Sequence, residues 1–195
     1  MIVRPLTLAL ALGLLACGSA AEDPPDRDPV GPTDPAPGRR VRRLTADQFA
    51  RSLQVATGQA WTRYATYAEA LGKPDFGELT DEGTDLSVTF DKLVHDAGRE
   101  ACGRAVDLDR TTATTVIMRE ARAADRGDHA KYVANLQYLF LRFLGVQLDA
   151  VDDPRLAPWL TLLEAAPAPT TDVEMATRWK AVCIGLVTHP DFVTY

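Results

Sequence analysis

The sequence predicts an all-α protein, with a single bundle-like domain of six to seven helices over residues 41–195 after a disordered, proline-rich tether. Three observations lead to this prediction. Apolar residues recur every three to four positions along most of the range, which is the spacing of an amphipathic helix. Threonine or aspartate precedes several of these runs, and glycine follows several, as at helix ends. The connections are short, so the helices are expected to share one core.

The first 16 residues have the features of a secretory signal peptide. Arg4 is followed by an apolar run from Leu6 to Ala16, shorter than the roughly 20 residues that span a bilayer core. The run ends in LLAC, Leu14 to Cys17, which resembles the bacterial lipobox. The resemblance implies that Cys17 carries lipid and becomes the mature N-terminus, and simple secretion is the alternative. Gly18 follows the cysteine where an aspartate would signal inner-membrane retention, and this favours the outer membrane.

Residues 17–40 differ sharply in composition from the rest of the chain. They hold six of the 13 prolines, several acidic residues and few side chains that could be buried. Such a segment cannot offset its ordering entropy, so we expect a disordered, lipid-anchored linker in which proline favours extended polyproline II. The net charge of the chain is −6, which argues against general nucleic-acid binding because that requires a basic surface.

The domain is predicted to open with an amphipathic helix in the stretch RRLTADQFARSLQVATG. Thr45 and Gln48 have the spacing of a capping box, and Gly58 stands where a left-handed residue would end the helix. The apolar stripe of this helix consists of Phe49, Leu53 and Ala56, with Ala46 and Ala50 beside them.

Two arginines precede this helix. Arg42 and Arg43 would lie close to its positive end, so the helix dipole does not favour them there. We expect them to be the solvated end of the linker, paired with surface carboxylates, and phosphate binding is the alternative. Their replacement is therefore expected to change stability little.

Two further helices and one ambiguous segment are predicted before residue 128. The first helix ends at Gly72 and has one apolar face, formed by Trp61, Tyr64, Ala68 and Leu71. A Gly- and Asp-rich loop and a short extended segment then lead into a long helix with apolar positions Phe90, Leu93, Val94, Ala97, Ala101 and Ala105. Residues 107–128 mix β-branched residues with helix formers, and we expect another helix from about Ala113.

Three helices are predicted in the remaining sequence. Asp128 can cap the first of them, and Asp153 can cap the second. Pro158 should distort the start of the second helix, because proline lacks an N–H group and restricts the backbone. Thr171 and Glu174 form another capping box, which opens a helix with the apolar face Met175, Trp179, Val182 and Leu186.

Three stretches resemble motifs of a known group of proteins. They are RRLTADQFARSLQVATG, YLFLRFLG and WKAVCIGLVTHPDFVTY, and they bracket the predicted domain. They are similar to the opening, middle and closing motifs of uncharacterised secreted or lipoprotein families of planctomycetes and myxobacteria, which are associated with cytochrome-c-like modules. The resemblance implies an envelope setting and redox neighbours but no reaction. The chain has no Cys-x-x-Cys-His, so no c-type haem attachment is expected.

One polar cluster is a weak candidate for chemistry. Asp91 and His95 are four residues apart and would share a helix face, where the carboxylate could orient the imidazole, and Asp96 is adjacent. The competing and favoured interpretation is a set of solvated charges on an amphipathic helix. No zinc-ligand spacing, nucleophile elbow or glycine-rich phosphate loop occurs in the sequence, so we expect no cofactor, no metal and no catalytic residue.

The remaining cysteines are predicted to form a disulfide. Cys102 and Cys183 each lie beside the apolar stripe of a predicted helix, so both can face one core. After export they would be an even pair in an oxidising compartment, because lipid occupies Cys17. The alternative is two separate buried thiols.

These features together predict a cell-envelope lipoprotein, without enzymatic activity, whose helical module binds another envelope protein or supports a complex. Its only expected contact with the membrane is the lipid on Cys17. The alternative is an accessory subunit of a periplasmic redox or hydrolytic system, with a site that a partner completes. An exposed apolar groove would favour the first, and a pocket lined by Asp91, His95 and Asp96 the second.

Overall fold

The computed structural model describes residues 42–71 and 87–195. The predicted signal peptide, Cys17, the linker at 17–40, and Gly72 with most of the loop after it lie outside the described residues. Within them the structure has no strand, only one isolated antiparallel bridge, and the prediction of an all-α fold is confirmed. The helices in this part of the chain are α1 Ala46–Thr57, α2 Tyr64–Tyr67, α3 Val88–Thr111, α4 His129–Leu144, α5 Ala157–Glu164, α6 Asp172–Val187 and α7 Pro190–Val193.

Helices α3 and α6 form the most extensive helix pair, and the other long helices pack around them. Small residues allow their close approach. A Cβ atom at Gly98 would lie 3.3 Å from Cγ1 of Val187, and one at Gly103 would lie 3.2 Å from Nζ of Lys180. No helix in residues 42–71 and 87–195 combines the length and hydropathy needed to cross a bilayer.

Helix α1 forms as its local sequence predicts. The Thr45 hydroxyl accepts the Gln48 amide hydrogen at 3.2 Å, and the Gln48 side chain accepts the Thr45 amide hydrogen at 2.9 Å. Gly58 ends the helix with φ of 70°, a left-handed conformation that favours glycine. The apolar stripe is buried, and Phe49 contacts the rings of Phe90 and Phe192 edge-on.

The segment before α1 pairs with the end of the chain. The Arg42 and Tyr195 backbones exchange hydrogen bonds at 3.3 and 2.9 Å, and the Leu44 amide donates to the Val193 carbonyl at 2.7 Å. Successive side chains point to opposite sides of such an extended segment. Arg42 is therefore exposed, whereas Arg43 turns inward and is only 4% exposed. The expectation of a solvated Arg43 is wrong.

Helix α2 is shorter than predicted. Only Tyr64–Tyr67 are α-helical, although Trp61, Ala68 and Leu71 are buried as expected. Side chains of α3 hold the preceding backbone in a turn. Glu100 accepts hydrogen bonds from the backbone amide and hydroxyl of Thr62, and Arg104 donates to the Ala60 carbonyl. Arg104 thereby takes the Ala60 carbonyl, which would accept the Tyr64 amide hydrogen in a helix that began at Trp61, and the Tyr64 amide instead donates to the Trp61 carbonyl at 3.2 Å.

The helix predicted from about Ala113 is wrong. Helix α3 continues to Thr111, and residues 112–128 form turns. The physical cause is Asp109, which is 4% exposed and whose carboxylate accepts the three successive amide hydrogens of Val116–Met118 at 2.6–2.9 Å. Because these three amides donate to a side-chain carboxylate, they do not form the backbone hydrogen bonds of a helix.

A buried asparagine on α4 holds the same segment from the other side. Asn135 is fully buried, accepts the Glu120 amide hydrogen at 2.8 Å and donates to the Ile117 carbonyl at 2.9 Å. The middle of the long connection, residues 116–120, is thus held by two buried polar side chains, as the hydrogen-bonding needs of a partly buried loop require.

Helices α4 and α6 begin at their predicted caps, whereas the short helix α7 was not predicted. Asp128 caps α4, and Thr171 with Glu174 forms the capping box of α6. Asp153 caps a 3-10 turn, Pro154–Leu156, that precedes α5. Pro158 lies in the first turn of α5, and the tighter turn before it agrees with the expected distortion of this helix start.

Several arginines donate to backbone carbonyls at helix ends. Arg142 donates to the Ala56 and Val55 carbonyls at 2.7 and 2.8 Å, which are among the last carbonyls of α1. Arg178 donates to the Leu163 and Ala165 carbonyls at the end of α5. The last four carbonyls of a helix lack partners within it, so these arginines stabilise the helix ends by supplying the missing hydrogen bonds.

Candidate functional site

The predicted polar cluster is a set of surface ion pairs on α3. Nε2 of His95 lies 3.8 Å from Oδ1 of Asp91, and both side chains are substantially exposed. Asp96 instead accepts a hydrogen bond from Lys92 at 2.9 Å, which is the main cause that lowers the pKa of Asp96. The three side chains do not converge. Asp91 lines a cleft beside Phe90 at the start of α3.

The two cysteines form the predicted disulfide. Cys102 and Cys183 join α3 to α6 with their Cα atoms 5.8 Å apart, within the usual range for a bridge. Both are fully buried. This bond is therefore a structural crosslink of the core, out of reach of external thiols. In the described part of the chain, no group of three or more His, Cys, Asp or Glu side chains is placed to hold a metal ion.

Helix α5 is the least covered of the longer helices, and it has an open cleft on each side. Its sequence APWLTLLE is almost entirely apolar, yet Leu163 is its only fully buried residue. Trp159 and Leu160 are half-buried, and Leu162 is 38% exposed. The first cleft, here called the tryptophan cleft, has a volume of about 560 Å³ and is lined by Phe140, Leu144, Val146, Arg155, Pro158, Trp159, Leu162, His189 and Asp191.

The aromatic wall of the tryptophan cleft is held in place from behind. The Trp159 ring meets Phe140 edge-on, with 5.9 Å between ring centroids and 90° between the ring planes. The indole also packs against Gly185 on α6, where an added Cβ would lie only 2.7 Å from Cζ3 of the indole. Real Cβ atoms do not approach so closely, so this position of Trp159 requires glycine at 185.

Arg155, His189 and Asp191 are the charged or titratable side chains that line this cleft. Nδ1 of His189 accepts the Asp191 amide hydrogen at 3.2 Å. Arg155 donates from Nε and Nη2 to the two carboxylate oxygens of Asp153 at 2.9 and 2.7 Å. These hydrogen bonds, followed by one from the Arg155 backbone amide, lower the pKa of Asp153 to about 2.

The second cleft, here called the alanine cleft, lies between α4 and the opposite side of α5. Its volume is about 610 Å³, and it is lined by His129, Ala130, Val133, Ala134, Gln137, Val151, Asp152, Asp153, Ala157 and Leu160. Val151 is 69% exposed at its edge. Nδ1 of His129 lies 2.6 Å from Oε1 of Glu164 and links the start of α4 to the end of α5.

Neither cleft was predicted, although one signal was present in the sequence. An amphipathic helix on a surface has one apolar stripe, whereas α5 is apolar on most of its circumference. A short helix of that kind must be covered on several sides or leave apolar surface exposed.

Comparison of the chain with family models, curated proteins and solved structures gave no match.

Proposed function

We propose that this chain is a cell-envelope lipoprotein without enzymatic activity, whose helical domain docks another envelope protein. Cys17 would carry the lipid, residues 17–40 would be the tether, and the outer membrane would be the host membrane. The observation that carries the docking function is the open apolar surface beside α5, where Val151 in the preceding loop is 69% exposed and Leu162 on the helix is 38% exposed. Such surfaces on a folded domain mark interaction sites.

The envelope setting rests on two independent features. The lipobox-like LLAC closes an apolar run too short to span a bilayer. The Cys102–Cys183 disulfide belongs to oxidising compartments, since cytosolic thiols are kept reduced. The resemblance to the cytochrome-associated families, and the redox neighbours it implies, stay predictions. The accessory-subunit alternative is not proposed, because His95 and Asp96 belong to separate surface ion pairs on α3, with Asp91 and Lys92.

The alanine cleft is the docking site in this proposal, and its occupant is an amphipathic helix with a basic flank. Ala130 and Ala134 present small side chains that allow the backbone of a partner helix to approach. Val151 supplies exposed apolar surface at the edge. Asp152 lines the same cleft, and the chain as a whole is acidic, so a partner with lysine or arginine beside its apolar face is electrostatically complementary.

Crosslinking in intact cells tests the docking site. Ala134→Glu places a charge in the alanine cleft, whereas Leu141→Glu places the same charge on an exposed position of α4 outside both clefts. We expect Ala134→Glu to lose crosslinked partners that the wild type and Leu141→Glu both retain. Equal partner sets for the two variants would reject the alanine cleft as the docking site.

Metabolic labelling with palmitate tests the anchor. The wild-type chain should incorporate the label and fractionate with outer membranes, and Cys17→Ala should lose both properties. Label that persists in Cys17→Ala would contradict lipidation at this residue. The two experiments are independent, because the anchor and the docking cleft can fail separately.

A further inference from the structure

Helix α5 forms a ridge between the two clefts. Ala157 and Leu160 line the alanine cleft, whereas Trp159 and Leu162 line the tryptophan cleft. With about 100° between successive residues of an α-helix, these two pairs point to opposite sides, about 160° apart. Leu163, the fully buried residue of α5, points between them towards the core. The ridge is therefore attached to the domain along one side and is open on the others.

The side of α5 that faces away from the core, here called the crest, consists of Ala157, Pro158 and Thr161. All three residues are exposed, and none carries a charge. The Thr161 hydroxyl donates to the Ala157 carbonyl at 2.9 Å within the helix. A partner that covers the crest therefore desolvates no charge and leaves this hydrogen bond intact. The crest can be enclosed together with both clefts.

One cleft alone offers little contact area. Helix α5 has eight residues and is about 12 Å long, so a cleft beside it that is about 10 Å wide, one helix diameter, has a footprint on the order of 100 Å². Each partner in a stable complex buries roughly 800 Å². A partner that covers both clefts and the crest at least doubles its contact. Two linked segments also bind more tightly than either alone, because the second binds intramolecularly.

The charges of the two clefts are alike. Asp152 is exposed in the alanine cleft, and Asp191, whose side chain is 66% exposed, lies in the tryptophan cleft. Arg155 does not offset Asp191, because its guanidinium already donates through Nε and Nη2 to Asp153. Both clefts therefore favour a basic segment over an acidic one.

We propose that one partner protein occupies both clefts at once, through two helical segments that lie on either side of α5. Packed helices are about 8–10 Å apart, so the two segments would be about 16–20 Å apart with α5 between them. Each segment has an apolar face towards its cleft and lysine or arginine beside that face. This inference rests on the docking function proposed above and extends it from the alanine cleft to both sides of α5.

Site-specific photocrosslinking of the full-length protein in intact cells tests this arrangement. Benzoylphenylalanine replaces either Val151, which is 69% exposed at the alanine cleft, or Leu162, which is 38% exposed at the tryptophan cleft. Val55, which is 74% exposed on α1 away from the linings of both clefts, is the control position.

We expect positions 151 and 162 to capture the same protein through two different segments, each with lysine or arginine beside apolar residues. Position 55 should not capture that protein. Peptide mapping of the adducts by mass spectrometry identifies the segments. Two different proteins, one segment shared by both positions, or acidic segments would overturn the proposal.

A charge in one cleft should also reduce capture at the other. Leu162→Glu should lower crosslinking from position 151 about tenfold or more, and Ala134→Glu should do the same for crosslinking from position 162, because linked segments lose their avidity together. Leu141→Glu, on an exposed position of α4 outside both clefts, should change neither yield. Circular dichroism should show that all three variants are folded.

The results separate this inference from the docking function on which it rests. If Leu162→Glu leaves capture at position 151 unchanged while Ala134→Glu abolishes it, the alanine cleft is the docking site and the partner does not enclose α5. That result would overturn the two-sided arrangement alone. If position 151 captures no protein, or if Ala134→Glu leaves its capture unchanged, the docking function fails together with this inference.

Discussion

The guanidinium carbon of Arg43 lies 4.4 Å from the centroid of the Phe90 ring, at the start of α3. Its Nη2 also donates to the Leu71 carbonyl oxygen at 2.7 Å. One buried cation thus joins three separate parts of the chain: the segment before α1, the turn after α2, and α3. A charged residue that borders a polar linker in the sequence is a core residue in the fold.

Arg43→Ala should lower the free energy of unfolding by about 2–4 kcal/mol, because it removes a cation–π contact and leaves a buried carbonyl without this donor. Arg42→Ala should change it by less than about 0.5 kcal/mol, since that side chain is exposed. Phe49→Ala removes a fully buried ring and should lower the free energy of unfolding by about 3–5 kcal/mol. It serves as the reference for the loss of a buried side chain. Urea unfolding measures all three. Equal effects of the two arginine substitutions would contradict the buried placement of Arg43.

Gly185→Ala should displace Trp159, because the new Cβ would lie 2.7 Å from the indole. We expect a loss of about 1–3 kcal/mol and stronger acrylamide quenching of tryptophan fluorescence. Gly103→Ala is the matched control on α3, where the nearest atom is the mobile Nζ of Lys180 at 3.2 Å. There the gain of helix propensity, about 0.5–1 kcal/mol, should compensate any rearrangement. A similar loss at both positions would show that the Trp159 contact is not the cause.

Asp109→Asn should loosen the 112–128 connection. The substitution keeps the side-chain shape but replaces one acceptor oxygen by an N–H donor, so the amides of Val116–Met118 lose at least one partner. We expect faster hydrogen exchange at these amides and a loss of about 1–3 kcal/mol. Asp107→Asn, on an exposed position of the same helix, should leave exchange in this segment unchanged.

Removal of the disulfide by Cys102→Ala with Cys183→Ala should lower the free energy of unfolding by about 4–5 kcal/mol on the chain-entropy model, because the bond closes a loop across 81 positions. Urea unfolding of the oxidised wild type and the double variant measures the difference. The unreduced wild type should show no alkylatable thiol at either position by mass spectrometry. Two reactive thiols there would contradict the bond.

The Asp153 carboxyl should titrate near pH 2 in the folded protein, below its ordinary 3.8, and Arg155→Ala should move its midpoint back towards that ordinary value. Linkage sets the sign of the effect on stability. Between these two values the unfolded chain binds a proton that the folded chain does not, so the contribution of Asp153 is present above pH 3.8 and is lost as the pH falls towards 2. Carboxyl NMR measures both midpoints, and an unshifted Asp153 in the wild type would contradict the Arg155 contact.

Helix ends were predictable because their determinants are local. Thr45 with Gln48, Asp128, and Thr171 with Glu174 all act over three residues, and such spacings can be read directly from a sequence. The disulfide was predictable for a related reason. Cys102 and Cys183 each lie beside the apolar stripe of a helix, and the stripe indicates which side faces the core.

The prediction of a helix from about Ala113 failed because the polar contacts that shape this segment do not follow a sequence period. Asp109 binds amides seven to nine residues away, and Asn135 reaches back 15–18 residues to the same segment. No local pattern distinguishes these side chains from solvated ones. The residues between them therefore resembled a weak helix, because β-branched residues and helix formers alternate there without a clear period.

The sequence by itself determined most of the helical segments, where most of them start, and which face of each is apolar, because propensity, capping and periodicity act between residues a few positions apart. It did not determine that residues 112–128 form turns. Only the tertiary structure decided that Arg43 lies inside while Arg42 lies outside, and that α5 is left with open clefts on both sides. Burial depends on what other segments cover, and the partners of Arg43 and Trp159 lie 47 and 26 positions away, at Phe90 and Gly185.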